Sequence, residues 1–167
     1  MHLMATHFDV CIRGAGIVGR TLALHLAAQR LRVALVTQAH PADTPAKSDV
    51  RAYALNQASR ALLESVRCWP GEADATPVLA MHVQGDEGGQ VTFDTHTQDT
   101  PALNWIVDVA VLEARLLDAV HFQPLIEAFD TPQPATLTVV CEGRASSTRE
   151  EFGVEFETTP YGQSALA

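Results

Sequence analysis

Residues 8–19 read FDVCIRGAGIVG, and an apolar-periodic run follows as far as residue 29. The stretch is a G-x-G-x-x-G fingerprint that follows a β-branched, strand-like run and opens a helical pattern. In this context Gly14 allows a tight turn, Gly16 lets a pyrophosphate approach the backbone, and Gly19 lets the helix pack closely against the strand. The N–H groups and the positive dipole end of the helix favour phosphates. The sequence therefore predicts a nucleotide site that includes these three glycines and Ala15.

The second predicted strand, at 32–37, ends where an acidic residue normally accepts hydrogen bonds from a ribose. Thr37 and Gln38 stand at that position instead. A hydroxyl or an amide binds a ribose more weakly than a carboxylate does. Arg30 also stands where a glycine would be the usual residue after the first helix. We therefore predict a nucleotide site in which Thr37 and Gln38 bind the ribose weakly.

Composition and charge exclude several classes of protein. The 167 residues are 47% hydrophobic and 19% charged, which is typical of one globular domain. The net charge of −9 argues against nucleic acid or an anionic membrane surface as a partner. Three scattered cysteines predict neither a disulfide framework nor a zinc site, and the histidines form no metal-ligand pattern. The absence of a transmembrane stretch and of a signal-peptide layout favours a cytoplasmic location.

Periodicity along the chain predicts helices that alternate with strands. The predicted strands lie at 8–13, 32–37 and 137–141, and the predicted helices at 17–29, 56–67 and 109–121. Asn56 is a candidate N-cap, and the glycine-rich turn at 85–89 predicts a hairpin from 78–84 and 90–94. A final hairpin or two strands are predicted at 152–158 and 161–167. This order predicts a Rossmann-like α/β fold, a parallel sheet with helices, that carries an inserted antiparallel hairpin.

A second motif follows the predicted strand at 137–141, where residues 142–149 read EGRASSTR. Four of these residues match a D-G-x-x-S-x-x-R motif, with glutamate in place of aspartate. Residues 49–55 read DVRAYAL and match the pattern D-x-R-x-x-A-L. In this order and spacing, the three motifs resemble those of the class A FAD-dependent aromatic monooxygenases. The likeness is greatest to the ubiquinone-biosynthesis hydroxylases of that family.

The resemblance implies roles for the residues of all three motifs. Gly14, Gly16 and Gly19 would lie against the FAD pyrophosphate, and Thr37 would stand at the ribose-binding position. Arg51 would reach the flavin side of the cofactor, although a solvated loop arginine is the alternative.

For the EGRASSTR motif, the resemblance places Glu142 and Gly143 near the cofactor and implies that Ser146 and Arg149 fix their turn. It also implies an aromatic small molecule as substrate. NAD(P)H would act as a transient reductant that has no Rossmann domain of its own in this family.

The resemblance further implies that the chain is incomplete. Family members are more than twice as long, and their third FAD motif, of the G-D-A-A-H type, has no counterpart here. Residues 1–167 would then form the N-terminal part of an FAD-binding domain, with 78–94 and 152–167 starting the sheet of a substrate domain. Whether such a truncation is natural stays open. The chain is expected to be inactive alone and to self-associate through exposed sheet edges. The candidate residues for that surface are Ile106, Val107, Phe152, Val154, Phe156 and Tyr161.

Functions of different classes remain open. The chain is either the FAD-binding part of an aromatic hydroxylase that uses NAD(P)H and O2, or a catalytically inert FAD-domain fragment that acts as a binding or interaction module. An NAD(P)-dependent Rossmann dehydrogenase is a weaker alternative, because simple dehydrogenases have no use for the EGRASSTR segment.

Overall fold

The structure is a computed structural model that describes residues 7–37, 51–146 and 148–163. In chain order the described elements are β1 (Phe8–Arg13), α1 (Ile17–Ala28), β2 (Val33–Val36), β3 (Ala52–Leu55), α2 (Gln57–Ser65), β4 (Ala75–Val78), β5 (Ala80–Gln84), β6 (Gln90–Asp94), α3 (Thr95–Gln98), β7 (Asn104–Asp108), α4 (Val109–His121), β8 (Ile126–Phe129), β9 (Ala135–Val140), a 3-10 helix (Gly143–Ala145) and α5 (Thr148–Glu151). The predicted helices at 17–29, 56–67 and 109–121 are confirmed to within a few residues as α1, α2 and α4. The predicted strands at 8–13, 32–37 and 137–141 are likewise confirmed as β1, β2 and β9.

Four of the strands form a parallel sheet in the order β8-β2-β1-β9. The last residue of β1, Arg13, lies opposite Val36 of β2 on one side and Val140 of β9 on the other. The carboxyl ends of all the strands therefore meet at one edge of the sheet. This mixed α/β architecture confirms the predicted Rossmann-like fold.

Helices α1 and α4 pack together over one face of this sheet. Ile12, Val33, Leu112 and Leu116 are completely buried between the helices and the strands. Each fully buried aliphatic side chain of this size contributes on the order of 2 kcal/mol to folding. The core therefore holds α1, and with it the glycine loop that precedes the helix, in a fixed position against β1.

An antiparallel sheet in the order β3-β7-β4 adjoins this core. Trp105 of β7 is buried, and the Arg60 guanidinium lies 4.6 Å from its ring centroid and 5.3 Å from that of Trp69. Val107, in the same strand, is completely buried in the core. The prediction that Val107 lies on an exposed surface is therefore wrong. The same prediction for Ile106 is confirmed, since its side chain is 40% exposed.

Strands β5 and β6 form the predicted hairpin, and its two faces differ in polarity. Met81 pairs with Phe93 and Val83 pairs with Val91, and all four apolar side chains are exposed on one face. Exposed apolar faces favour association. Self-association of the chain, and a role of 78–94 in the sheet of a substrate domain, stay predictions.

The segment after α5 does not form the expected strands. Residues 152–163 are irregular and exposed, and residues 164–167 lie outside the described part. Phe152, Val154, Phe156 and Tyr161 are exposed as expected. A strand needs a neighbour for its backbone hydrogen bonds, and the described residues place none beside this segment.

Candidate nucleotide-binding crevice

The candidate nucleotide site, which we call the crevice, lies outside the carboxyl ends of β1 and β9. From β1 the chain runs outward to β2 and then β8, and β9 returns to the opposite side of β1. Open α/β sheets bind ligands at such a reversal of strand order. The two strand ends are tied together here, since Cys141 N donates to Arg13 O at 2.7 Å. We call residues 14–19 the glycine wall, and residues 142–146 with 148–151 the carboxylate wall.

Two glycines of the glycine wall are required by the packing of the chain itself. Gly14 has a φ of +109°, and a Cβ atom there would lie 2.5 Å from Cys141 O. A Cβ atom on Gly19 would lie 1.9 Å from Gly14 O. Both positions therefore accept only hydrogen, as the fingerprint predicts. The atoms closest to a Cβ at Gly19 belong to the Gly14 carbonyl and to the Cys141 side chain, and none of them belongs to β1.

Gly16 differs from these two glycines because no neighbour among the described residues requires it to lack a side chain. It is exposed, its φ of −76° suits any residue, and a Cβ atom there would meet no atom within 4 Å. It is the N-cap of α1, and no side chain caps that end, whereas Asn56 and Asp108 cap α2 and α4. Among the residues that the structure describes, no side chain caps the N–H donors of this helix end or fills the space beside Gly16, so both can serve an outside group. Ala15, beside it, is half-buried against the core.

Thr37, the residue that follows β2, has a hydroxyl that is hydrogen-bonded to a backbone carbonyl. Thr37 N donates to Phe129 O at 2.9 Å, and Thr37 Oγ1 donates to the same carbonyl at 3.3 Å. Because the hydroxyl proton is used in this bond, the oxygen retains lone pairs that can accept from a ribose hydroxyl. Gln38 lies outside the described residues.

Arg51 stands directly before β3, in the antiparallel part of the structure. Its carbonyl accepts a hydrogen bond from Val109 N at 3.1 Å, and its side chain is exposed. The structure therefore places Arg51 at the start of the antiparallel sheet, whereas the glycine wall follows a strand of the parallel sheet. A contact between Arg51 and the flavin stays a prediction.

The carboxylate wall begins with the turn that the EGRASSTR motif predicts. Gly143 has a φ of +73° and open space where a Cβ atom would stand. Glu142 Oε2 accepts hydrogen bonds from Ser146 Oγ and Thr148 Oγ1, both at 2.6 Å. The Arg149 guanidinium donates to Arg144 O and lies 4.5 Å from the centroid of the Phe156 ring. Ser146 and Arg149 thus close the turn as the resemblance implies.

Arg13 completes this network, although no sequence motif predicted a role for it. Arg13 Nε lies 3.4 Å from Glu142 Oε1, and Arg13 Nη1 lies 2.7 Å from Glu151 Oε2. Burial raises the pKa of Glu142, but the hydrogen bonds from Ser146 and Thr148 and the charge of Arg13 outweigh it, so the pKa lies below its ordinary value. The signal in the sequence was a charged residue at the end of β1, directly before the first fingerprint glycine and after the apolar run Val10–Ile12.

The fold is that of FAD-dependent monooxygenases. PqsL, a probable FAD-dependent monooxygenase from Pseudomonas aeruginosa, is similar with a TM-score of 0.70 and 21% identity, over 93% of this chain and 48% of PqsL. The anhydrotetracycline hydroxylase OxyS from Streptomyces rimosus is similar with a TM-score of 0.69 and 20% identity, over 93% of this chain and 36% of OxyS. No family model matches the chain.

By sequence, the chain is similar to two ubiquinone hydroxylases. It is 27% identical to the 3-demethoxyubiquinol 3-hydroxylase of Escherichia coli, over 95% of this chain and 47% of that protein. It is 29% identical to the ubiquinone hydroxylase UbiL of Rhodospirillum rubrum, over 95% of this chain and 42% of that protein. The predicted resemblance to the N-terminal portion of class A FAD-dependent hydroxylases is confirmed, and the chain spans less than half the length of these relatives.

Among the described residues, no helix is long and apolar enough to cross a membrane.

Proposed function

We propose that this chain is the FAD-binding portion of a flavin-dependent hydroxylase that acts on an aromatic, ubiquinone-precursor-type substrate with NAD(P)H and O2. The likeness to the two ubiquinone hydroxylases over 95% of the chain supports the substrate class. The monooxygenase fold and the crevice at the reversal of strand order support the cofactor.

The observation that carries the proposal is the space at Gly16. Of the three fingerprint glycines, Gly14 and Gly19 are explained by contacts within the chain, and Gly16 is not. A residue at this site that has no internal reason to be glycine fits the need for a pyrophosphate to approach the backbone. The uncapped end of α1 supplies N–H donors and a favourable dipole to the same group.

The other residues of the crevice fit FAD in a consistent way. Thr37 Oγ1 can accept from the adenosine ribose, and the backbone at Glu142 and Gly143 forms the opposite wall. The Glu142 carboxylate is taken up by partners in the chain, so this wall offers its backbone rather than a charge. FAD supplies the redox chemistry when bound, and the protein supplies position and electrostatics.

A titration with FAD tests the proposal. The purified protein is expected to quench FAD fluorescence on binding and to show flavin absorption after removal of excess cofactor. Gly16→Val should weaken FAD binding at least about tenfold, because its side chain fills the space that a pyrophosphate would occupy. Its unfolding midpoint in urea should change little, since a Cβ atom at Gly16 meets no atom of the described residues within 4 Å.

Gly71→Val is the matched control for this titration. Gly71 is also exposed, and a Cβ atom there also meets nothing within 4 Å, but it lies away from the crevice before β4. This variant should bind FAD as the unchanged protein does. Equal FAD affinity in a folded Gly16→Val variant would overturn the proposed site. A protein that takes up no FAD would favour the inert module.

A further inference from the structure

Arg13 lies at an unusual place for a cation. It is the last residue of β1, one of the two inner strands of the parallel sheet, directly before Gly14, and its side chain is only 16% exposed. Removing a charge from water is unfavourable unless partners compensate for it. The sheet therefore tolerates Arg13 only because the network around it neutralises and bonds the guanidinium.

The two partners of Arg13 belong to opposite ends of the carboxylate wall. Glu142 begins that wall, and its side chain is 4% exposed, whereas Glu151 ends α5 and is 57% exposed. The Arg13 guanidinium thus joins the end of β1 to both ends of the carboxylate wall. Because guanidinium is planar and has several donors, it can hold two carboxylates in one fixed arrangement.

Both oxygens of the Glu142 carboxylate have partners within the chain. Oε1 faces Arg13, and Oε2 accepts from Ser146 and Thr148, of which Thr148 is completely buried. The Glu142 carboxylate therefore bonds to other residues of the chain and not to a ligand. Its effect is to set the path of the backbone from Glu142 to Gly143.

We propose that Arg13 is a positioning residue for the nucleotide crevice: it joins the glycine wall to the carboxylate wall and so sets FAD affinity without touching FAD. The inference rests on the proposed function, since it names FAD as the group whose binding depends on the separation of the two walls. Removal of the guanidinium would release the Glu142–Glu151 segment while leaving the glycine loop intact.

Two measurements on Arg13→Met test the inference. The first is the FAD dissociation constant, which should rise roughly tenfold because the two walls are no longer held together. The second is amide hydrogen exchange across 142–151 without FAD, which should become faster while exchange across 14–28 stays as before. Arg13→Lys keeps the charge but not the two-sided geometry, and should recover part of the lost affinity.

Arg32→Met is the matched control. Arg32, directly before β2, also forms an ion pair, with Glu127 of β8 at 3.0 Å, but the two side chains are 39% and 48% exposed. The variant should alter neither FAD affinity nor exchange across 142–151. Should Arg13→Met fail to fold, Glu151→Gln serves instead. It removes only the exposed partner and should raise the dissociation constant about twofold to threefold, with faster exchange in the same segment.

The outcomes separate the inference from the proposed function. Unchanged FAD affinity in Arg13→Met, or in Glu151→Gln if that variant must serve, overturns the inference while the FAD site stands. Weaker binding without faster exchange across 142–151 also overturns it, because the coupling between the walls would be absent. An unchanged protein that binds no FAD overturns the proposed function, and the inference with it.

Discussion

The two walls of the crevice expose backbone to a ligand by different physical means. The glycine wall does so by lacking side chains, and its contacts are between backbone atoms, such as those that surround Gly14 and Gly19. The carboxylate wall does so with side chains that bond one another, from Arg13 through Glu142 to Thr148. The first wall is therefore sensitive to added atoms, and the second is sensitive to lost partners and to protonation.

The largest effect is expected from an added atom in the glycine wall. In Gly19→Ala the new methyl group would stand 1.9 Å from Gly14 O, which is backbone and cannot move without displacing β1. We expect the free energy of unfolding to fall by about 3 kcal/mol or more, and FAD binding to be lost. Urea denaturation followed by circular dichroism measures the change.

Gly71→Ala is the control for this comparison, since its methyl group meets no atom within 4 Å. We expect a change within about 0.5 kcal/mol there. If Gly19→Ala proves as stable as Gly71→Ala, the close packing of the glycine wall is not what requires Gly19.

Acid should weaken the carboxylate wall. The pKa of Glu142 is lower in the folded chain than its ordinary value of 4.5, because hydrogen bonds and Arg13 outweigh the effect of burial. A carboxyl group whose folded pKa is depressed contributes stability above its unfolded pKa, and that contribution is lost as the pH falls through the folded pKa. We therefore expect the free energy of unfolding to fall as the pH drops below about 4.5, and to fall less in Glu142→Gln.

The measurement is the free energy of unfolding in urea at several pH values, for the unchanged chain and for Glu142→Gln. The difference between the two curves isolates Glu142 from the other carboxylates. It should be largest near neutral pH and shrink as the pH falls. Parallel curves would show that Glu142 does not have a depressed pKa in the folded state.

The smallest effect is expected at Thr37, the residue that follows β2. Thr37→Glu places a carboxylate where a ribose hydroxyl would donate, at the cost of the bond from Thr37 Oγ1 to Phe129 O at 3.3 Å. A charge-assisted hydrogen bond exceeds a neutral one by about 1 kcal/mol, so the FAD dissociation constant should fall about fivefold. Thr37→Gln, without the charge, is the control. Weaker binding in Thr37→Glu would mean that the ribose lies elsewhere.

Much of the fold could be predicted because its signals are local. The helix over 109–121 and the N-cap Asn56 follow from periodicity and from side-chain chemistry within a few residues. Arg30, predicted to end the first helix in place of glycine, has a φ of +67°, the left-handed conformation usual there. The expected strands at 152–158 failed because an apolar alternating pattern forms a strand only where a neighbour is present to bond it.

Part of the crevice could also be predicted, because some of its residues lie in local sequence motifs. The glycine fingerprint and the turn from Glu142 to Arg149 are contiguous motifs, and the structure brings them together at one sheet edge. The Arg13 network was missed because its members are more than 120 residues apart, and no local pattern reports such a contact.

The sequence by itself determined where α1 and its glycine loop form, since glycine conformation and helical periodicity act over a few residues. It also determined that Gly143 stands in a turn, because a short motif specifies it. Only the tertiary structure decided which glycine has free space beside it, that Val107 is buried, and that Arg13 joins two distant segments. These properties depend on which parts of the chain become neighbours, and that is set by packing of the whole sheet and its helices rather than by any one stretch.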